Sequence, residues 1–220
     1  IVTIWKSPLP SISGGYFMKT FITNLTDIAK SPLTILTLIA VIILIVIFIK
    51  IKKVKFTTKI LVQVALAVAL STILSLIKFY HFPQGGSINL ASMVPILIMA
   101  MIYGPEIGFL TGFVYGIVDL ILGPYILNPI QVLFDYPLPY MALGLAGYFK
   151  NNKTLAVTAA MIGRFIFHFI SGVVFFGSFA PDNMSPIVYS AVTNALLIIP
   201  NGIICLIVIY FIPIDKLKEI

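Results

Sequence analysis

Long unbroken runs of apolar residues alternate with short polar segments along this chain, and seven such apolar stretches stand out. A helix that spans a bilayer needs about 20 mostly apolar residues in succession. The strands of a membrane β-barrel would instead show short segments of alternating polarity. The pattern therefore predicts an all-α, multi-pass transmembrane protein.

The first stretch, about Pro32 to Ile51, is too long for a signal peptide and lacks a small-residue cleavage site, so it predicts a membrane anchor. This gives an N-terminal extension over residues 1–56, with the anchor helix at about 32–51 and a basic linker, and a six-helix core over residues 57–220. The first methionine is Met18, so the residues before it are either an upstream extension or the remainder of a trimmed start. The six core spans are predicted at roughly Thr58–Phe79, Leu90–Ile102, Pro105–Leu122, Pro129–Phe149, Leu155–Ser178 and Pro186–Ile212.

Composition supports a membrane protein, since 60% of the residues are hydrophobic and 10% are charged, against roughly 25% charged in soluble domains. The net charge of +7 comes from short basic clusters beside apolar runs, which is typical of topology signals. The lipid bilayer, not nucleic acid, is therefore the expected partner of these residues. The single cysteine, Cys205, excludes a disulfide framework or a cysteine-based metal cluster, and we expect no cofactor or metal.

The basic clusters also predict the orientation, because lysines near span ends favour the cytoplasmic side. Three clusters, Lys50 to Lys59, Lys150 with Lys153, and Lys216 with Lys218, agree with one arrangement of the six core spans. Both ends of the core are then cytoplasmic. The loops predicted to lie outside are Tyr80–Asn89, Gly123–Asn128 and Phe179–Ser185.

Ionisable residues within a span are costly and are functional candidates by default. At 1.5 Å of rise per residue, Asp135, His168 and Asn194 lie roughly 9, 15 and 12 Å from the outer ends of their spans. Tyr189 is slightly shallower on the same helix as Asn194. Polar groups from three helices thus converge in the outer leaflet, which indicates a small-molecule site facing outside.

Each of these residues also has a structural alternative. Asp135 could be an ion-pair partner of Arg164, and Arg164 could brace helices or snorkel to the interface. His168 could simply be a packing histidine, and Asp119, near the outer end of its span, could be hydrated. Tyr189 and Asn194 could be ordinary interhelical hydrogen-bonding residues.

Aromatic residues crowd the same side of the bilayer. Part of this group is typical of the interfacial aromatic belt, but a carboxylate beside aromatic faces also suits an organic cation. The residues favour a flat, cationic ligand that forms hydrogen bonds. The aromatic candidates are Tyr115, Tyr125, Tyr136, Phe175 and Phe176.

Four groups of residues make the chain resemble a known family, the thiamine-specific substrate-binding subunits of energy-coupling factor (ECF) transporters, called ThiT or YuaJ. The resemblance covers about Lys59 to Ile212. The groups are Met93-Val94-Pro95; Gly123 to Leu127 followed by Gln131 and Asp135-Tyr136; Phe167 to Gly172; and Val188-Tyr189-Ser190 with Asn194.

The resemblance implies a six-helix membrane protein of the bacterial cell membrane that captures thiamine from outside and is not an enzyme. It also implies association with an energy-coupling transmembrane subunit and two ATPase subunits. An Ala-x-x-x-Ala stripe on the first helix would dock on the coupling subunit, and here Ala65 and Ala69 form it. The implied thiamine-binding residues are Asp135, His168, Tyr189, Asn194, Tyr125, Tyr136, Phe176, Tyr115 and Arg164.

The chain departs from the family pattern mainly in aromatic size. Some members have Glu where this chain has Asp135, and Trp where it has Phe176 or Tyr115. Two alternative functions remain: a subunit for a thiamine precursor such as the hydroxymethyl pyrimidine, and an intramembrane enzyme. An enzyme would need a nucleophile and base at matched depth, whereas Cys205 is predicted in the cytoplasmic half of the last span, far from His168.

Overall fold

The computed structural model describes residues 57–82 and 86–217. The predicted anchor helix, the remainder of the predicted extension and Lys218 lie outside the described residues. The division into an extension and a core therefore stays a prediction.

The described residues fold into helices joined by short connections, with one small β-hairpin. In chain order the elements are α1 (Thr58–Leu76), β1 (Lys78–His81), β2 (Ser87–Asn89), α2 (Val94–Tyr103), α3 (Pro105–Leu122), α4 (Pro129–Asp135), α5 (Pro137–Met141), a 3₁₀ helix (Ala142–Phe149), α6 (Lys153–Phe175), a 3₁₀ turn (Gly177–Phe179), α7 (Pro186–Phe211) and α8 (Ile214–Leu217).

The predicted all-α, multi-pass class is confirmed for the core. Among the described residues, α1, α3, α6 and α7 are each long and apolar enough to cross a membrane. The second predicted span is shorter, because α2 has 10 residues and starts only at Val94. Large apolar side chains on the outside, such as Leu66, Ile121 and Phe211, are exposed, as expected where lipid replaces water around a helix bundle.

The fourth predicted span is not one continuous helix. It consists of α4, α5 and the 3₁₀ helix. Pro137 and Pro139 explain the break, because proline lacks an N–H donor and its ring clashes with the preceding turn. The 3₁₀ helix then packs closely on α3, where a Cβ atom placed on Gly108 would lie 2.8 Å from the Cα atom of Gly144.

The loop between the first two predicted core spans forms the hairpin β1–β2, which the sequence pattern did not predict. Its strands pair antiparallel, with Tyr80 opposite Ile88 and His81 opposite Ser87. The hairpin is tied to α7 by Asn201, whose Oδ1 accepts from the Asn89 N–H at 3.3 Å and whose Nδ2 donates to the Ser87 carbonyl at 3.0 Å. The buried amide of Asn201 thus fixes this loop on the bundle.

The two ends of the bundle differ in character. At one end, Nζ of Lys153, the first residue of α6, donates to the carbonyl of Ile212 at 2.8 Å, just beyond α7. The other end contains the C-terminal part of α6, the N-terminal half of α7, the hairpin and the loop before α4. A cavity opens in this second end.

Candidate functional site

A cavity of about 140 Å³ lies among α3, α4, α5, α6 and α7 beneath the β-hairpin. Eight of the nine residues predicted to bind a ligand border it. They are Asp135, His168, Tyr189, Asn194, Tyr125, Tyr136, Phe176 and Arg164. Residues from distant parts of the sequence therefore meet at one place, as expected for a small-molecule site.

Tyr115 is the predicted ligand residue that does not border the cavity. Its side chain is 1% exposed. Its ring packs edge-on against Tyr140, with ring centroids 4.6 Å apart and planes at 87°. Tyr140 borders the cavity, so Tyr115 supports the cavity wall from behind.

Asp135 and His168 form the acidic wall of the cavity. Asp135 Oδ1 lies 3.6 Å from Nδ1 of His168, and Nε2 of the fully buried Gln131 donates to Asp135 Oδ2. Gln131 and Asp135 are one turn apart on α4, so they lie on the same helix face. His168 comes from α6, so this contact joins α6 to α4 beside the cavity.

Arg164 lies one turn before His168 on α6. Its Nε donates to His168 Nε2 at 3.3 Å and its Nη1 donates to Met93 Sδ. Because His168 Nε2 accepts, the imidazole is neutral and its proton is on Nδ1, toward Asp135. His168 therefore stands between Asp135 and Arg164, in place of the direct ion pair between them that the sequence left open.

Asp119, Tyr140 and Arg164 border one part of the cavity, which we call its floor. The Tyr140 hydroxyl donates to Asp119 Oδ2 at 3.0 Å. The Arg164 guanidinium carbon lies 4.4 Å from the centroid of the Tyr140 ring, within the range of a cation–π contact. Asp119 lies within α3 and borders the cavity, so a role in the site stays open for it beside hydration at the outer end of the span.

The aromatic wall is held by the loop between α3 and α4. The Tyr125 and Phe176 rings are stacked, with centroids 5.9 Å apart and planes at 21°. Tyr136 fixes the loop, because its hydroxyl donates to the Gly123 carbonyl at 3.0 Å and accepts from the Tyr125 N–H at 2.7 Å. Gln131 Nε2 also donates to the Tyr125 carbonyl at 3.1 Å.

Asn194 joins α7 to α6 beside the cavity. Its Nδ2 donates to the carbonyls of Ser190 and His168, at 2.9 and 3.2 Å. Ser190 Oγ in turn donates to the Phe169 carbonyl at 2.7 Å. The interhelical role left open for Asn194 is thus present, and its Oδ1 makes no hydrogen bond within the part of the chain that the structure describes.

Several cavity residues were outside the predicted set. Tyr140 follows Tyr136 by one helical turn, and Thr193 and Leu197 follow Tyr189 by one and two turns, so helix periodicity could have found them. The hairpin contributes Phe82 and Gly86, for which no periodic signal existed. Asp119 stood out as an ionisable residue but was not among the predicted ligand residues, and the other cavity residues outside that set are Tyr140, Gly172, Thr193, Leu197, Phe82 and Gly86.

Two further observations concern the surface of α1 and the possible metal ligands. Ala65 and Ala69 are exposed on α1, whereas Ala67 and Val68 face the core. Across residues 57–82 and 86–217, no group of three His, Cys, Asp or Glu side chains could hold a metal ion.

Comparison with known proteins gives the same family that the motifs indicated. The family described as "Thiamine transporter protein (Thia_YuaJ)" matches residues 61–220. The chain belongs to this family. Family membership makes it a transporter component and not an enzyme.

Individual relatives agree with this assignment. The chain is 34% identical to the thiamine transporter ThiT of Bacillus subtilis over 168 residues, which is 68% of this chain and 87% of that protein. It is 35% identical over 122 residues to ThiT of Lacticaseibacillus paracasei, covering 46% of this chain and 61% of that protein. A solved structure of ThiT from Listeria monocytogenes has the same fold, with a TM-score of 0.63 and 20% identity over 73% of this chain and 95% of that chain.

Proposed function

We propose that the cavity binds thiamine and that this chain is the thiamine-binding subunit of an ECF-type uptake transporter. One observation carries the proposal. In a chain of the thiamine transporter family, Asp135 is held by Gln131 and His168 in the same cavity as the stacked rings of Tyr125 and Phe176. A carboxylate beside aromatic faces is the combination that binds a flat organic cation.

The charges around the cavity favour a monovalent cation. Two carboxyl groups, Asp119 and Asp135, and one guanidinium group, Arg164, border the cavity, and His168 is neutral by its hydrogen bonding. Among the residues that border the cavity, carboxyl groups therefore outnumber cationic side chains by one, and such groups are costly in a membrane unless a cation pairs with them. Thiamine has one permanent positive charge on its thiazolium ring, so its binding would neutralise the site.

The position of the cavity supports uptake from outside the cell. The cavity lies at the end of the bundle opposite Lys153, which contacts the end of α7 through Ile212. Lysines near span ends favour the cytoplasmic side. We therefore infer that the core has both ends in the cytoplasm and that the cavity faces out, in a bacterial cell membrane.

Coupling to ATP hydrolysis would need partner subunits, and the exposed pair Ala65 and Ala69 on α1 is the proposed docking stripe for the transmembrane coupling subunit. Small residues four apart allow close helix approach. Ala65→Leu with Ala69→Leu should abolish thiamine uptake in cells while thiamine binding by the purified protein is unchanged. Thr158→Leu, which adds bulk at an exposed position of α6, is the matched control and should leave uptake intact.

Calorimetry on the purified full chain tests the ligand. We expect a submicromolar dissociation constant for thiamine and one binding site per chain. Competition with the isolated pyrimidine and thiazole halves separates thiamine from its precursors. Tighter binding of the hydroxymethyl pyrimidine than of thiamine would favour a precursor subunit, and an absence of thiamine binding would contradict the proposed ligand.

A further inference from the structure

The floor of the cavity contains a second carboxylate, Asp119, which within the described residues is not hydrogen-bonded to the group formed by Gln131, Asp135 and His168. Asp119 borders the cavity, and its Oδ2 accepts from the Tyr140 hydroxyl at 3.0 Å. No side chain of the described residues donates to Oδ1. The Asp119 carboxylate therefore keeps one oxygen available as an acceptor.

The same floor also contains a free hydrogen-bond donor. Arg164 Nε is engaged by His168 and Arg164 Nη1 by Met93, while within residues 57–82 and 86–217 the Nη2 group has no hydrogen-bond partner. The guanidinium is fixed over the Tyr140 ring at 4.4 Å. Tyr140 thus holds both groups at once, Arg164 against its ring and Asp119 at its hydroxyl.

A charged acceptor beside a charged donor is complementary to an alcohol, since a hydroxyl group donates one hydrogen bond and accepts others. We propose that Asp119 and Arg164 form a hydroxyl subsite that binds the free alcohol of the ligand in preference to its phosphate ester. This inference rests on the proposed function, because thiamine carries one alcohol, on the side chain of its thiazolium ring. The alcohol would donate to Asp119 and accept from Arg164.

Asp119 decides how the subsite treats a phosphate. Arginine alone would attract a phosphate ester, which brings a charge of about −1.5 to −2 and only acceptor oxygens at neutral pH. The Asp119 carboxylate accepts a hydrogen bond from the hydroxyl of the same Tyr140. A phosphate bound there would be repelled by this like charge and would have no proton to donate to the free carboxylate oxygen. Asp119 is therefore the specificity-determining residue, and Arg164 is the group whose preference it reverses.

Two substitutions at this position separate charge from shape. Competition binding would compare thiamine monophosphate with thiamine for the wild type, Asp119→Asn and Asp119→Glu. The dissociation constant of thiamine monophosphate divided by that of thiamine should be about tenfold lower, or lower still, in Asp119→Asn than in the wild type. It should stay within about threefold of the wild-type ratio in Asp119→Glu, which keeps the negative charge. An unchanged ratio in Asp119→Asn, or an equal fall in both variants, would overturn the inference.

A ligand series on the wild-type protein tests the subsite without any substitution. A thiamine analogue that lacks the hydroxyl should bind about tenfold more weakly or worse, as for a lost hydrogen bond to a charged group. Thiamine monophosphate should bind more weakly than thiamine. Equal affinity for all three ligands would overturn the hydroxyl subsite and leave thiamine binding in place, whereas failure to bind thiamine at all would overturn the proposed function as well.

Discussion

Nδ1 of His168 lies 3.6 Å from Oδ1 of Asp135, across the gap between α6 and α4. Since His168 Nε2 accepts from Arg164, this contact uses the protonated nitrogen of a neutral imidazole. The imidazole thus adds no positive charge beside Asp135, in a site that also contains aromatic rings. This contact makes Asp135 and His168 the first residues to test.

Asp135→Asn keeps the shape of the side chain and removes its charge. We expect the dissociation constant of thiamine to rise by about 10- to 150-fold, since a hydrogen bond or contact to a charged group contributes about 1.5–3 kcal/mol. Calorimetry measures the change. Asp182→Asn, at an exposed position in the loop before α7, is the matched control and should bind as the wild type does; equal affinity of Asp135→Asn and wild type would contradict the role of Asp135.

His168→Ala removes the group between Asp135 and Arg164. The buried Nε of Arg164 then loses its acceptor, which costs about 1–3 kcal/mol, and thiamine affinity should fall at least about tenfold. Binding and thermal unfolding should both change, and each can be followed on detergent-purified protein. His81→Ala changes the other histidine of the chain, which is exposed on β1; a similar loss in both variants would show that the effect is not specific to the cavity.

Gly172→Ala tests the close approach of α6 and α7. A Cβ atom at this position would lie 2.8 Å from the Cβ of Ser190 and 3.0 Å from Nδ2 of Asn194. The helices must move apart, so we expect a lower unfolding temperature, with a loss of about 1–3 kcal/mol, together with weaker thiamine binding. Gly123→Ala is the control because no atom lies within 4 Å of the added Cβ, and an equally stable Gly172→Ala protein would argue against tight packing here.

Asn201→Ala removes both hydrogen bonds that tie the hairpin to α7. The Asn89 N–H is buried, so leaving it unpaired costs about 1–3 kcal/mol, and the hairpin should separate from the cavity more often. We expect faster thiamine dissociation and faster trypsin cleavage after Lys78, an exposed residue of β1. Asn183→Ala, at an exposed loop position, should change neither rate; a hairpin equally resistant in both variants would mean that other contacts hold it.

Most of the membrane architecture could be predicted because a bilayer imposes one simple rule, about 20 apolar residues per spanning helix. The limits of α3 match the predicted Pro105–Leu122 span. The same rule could not predict the broken helix before Phe149. Its segments are as apolar as a spanning helix, so the rule does not register Pro137 and Pro139, where the helix breaks.

The sequence could predict those site residues whose burial in a membrane is energetically costly. Asp119, Asp135, Arg164 and His168 all stand out as ionisable residues within apolar runs. Tyr115 shows the limit of this reasoning. It lies one turn before Asp119 on the same face of α3, and only the position of Tyr140 in space places Tyr115 behind the cavity wall.

By itself, the sequence determined that the chain is a helical membrane protein of a recognisable family, with a few polar residues at similar depth. These features follow from local composition and helical rise, which need no knowledge of neighbouring helices. The tertiary structure decided which polar groups touch. It placed His168 between Asp135 and Arg164, and Tyr140 between Arg164 and Asp119. Such contacts depend on the rotation and packing of α3, α5 and α6 against one another, which a one-dimensional pattern does not contain.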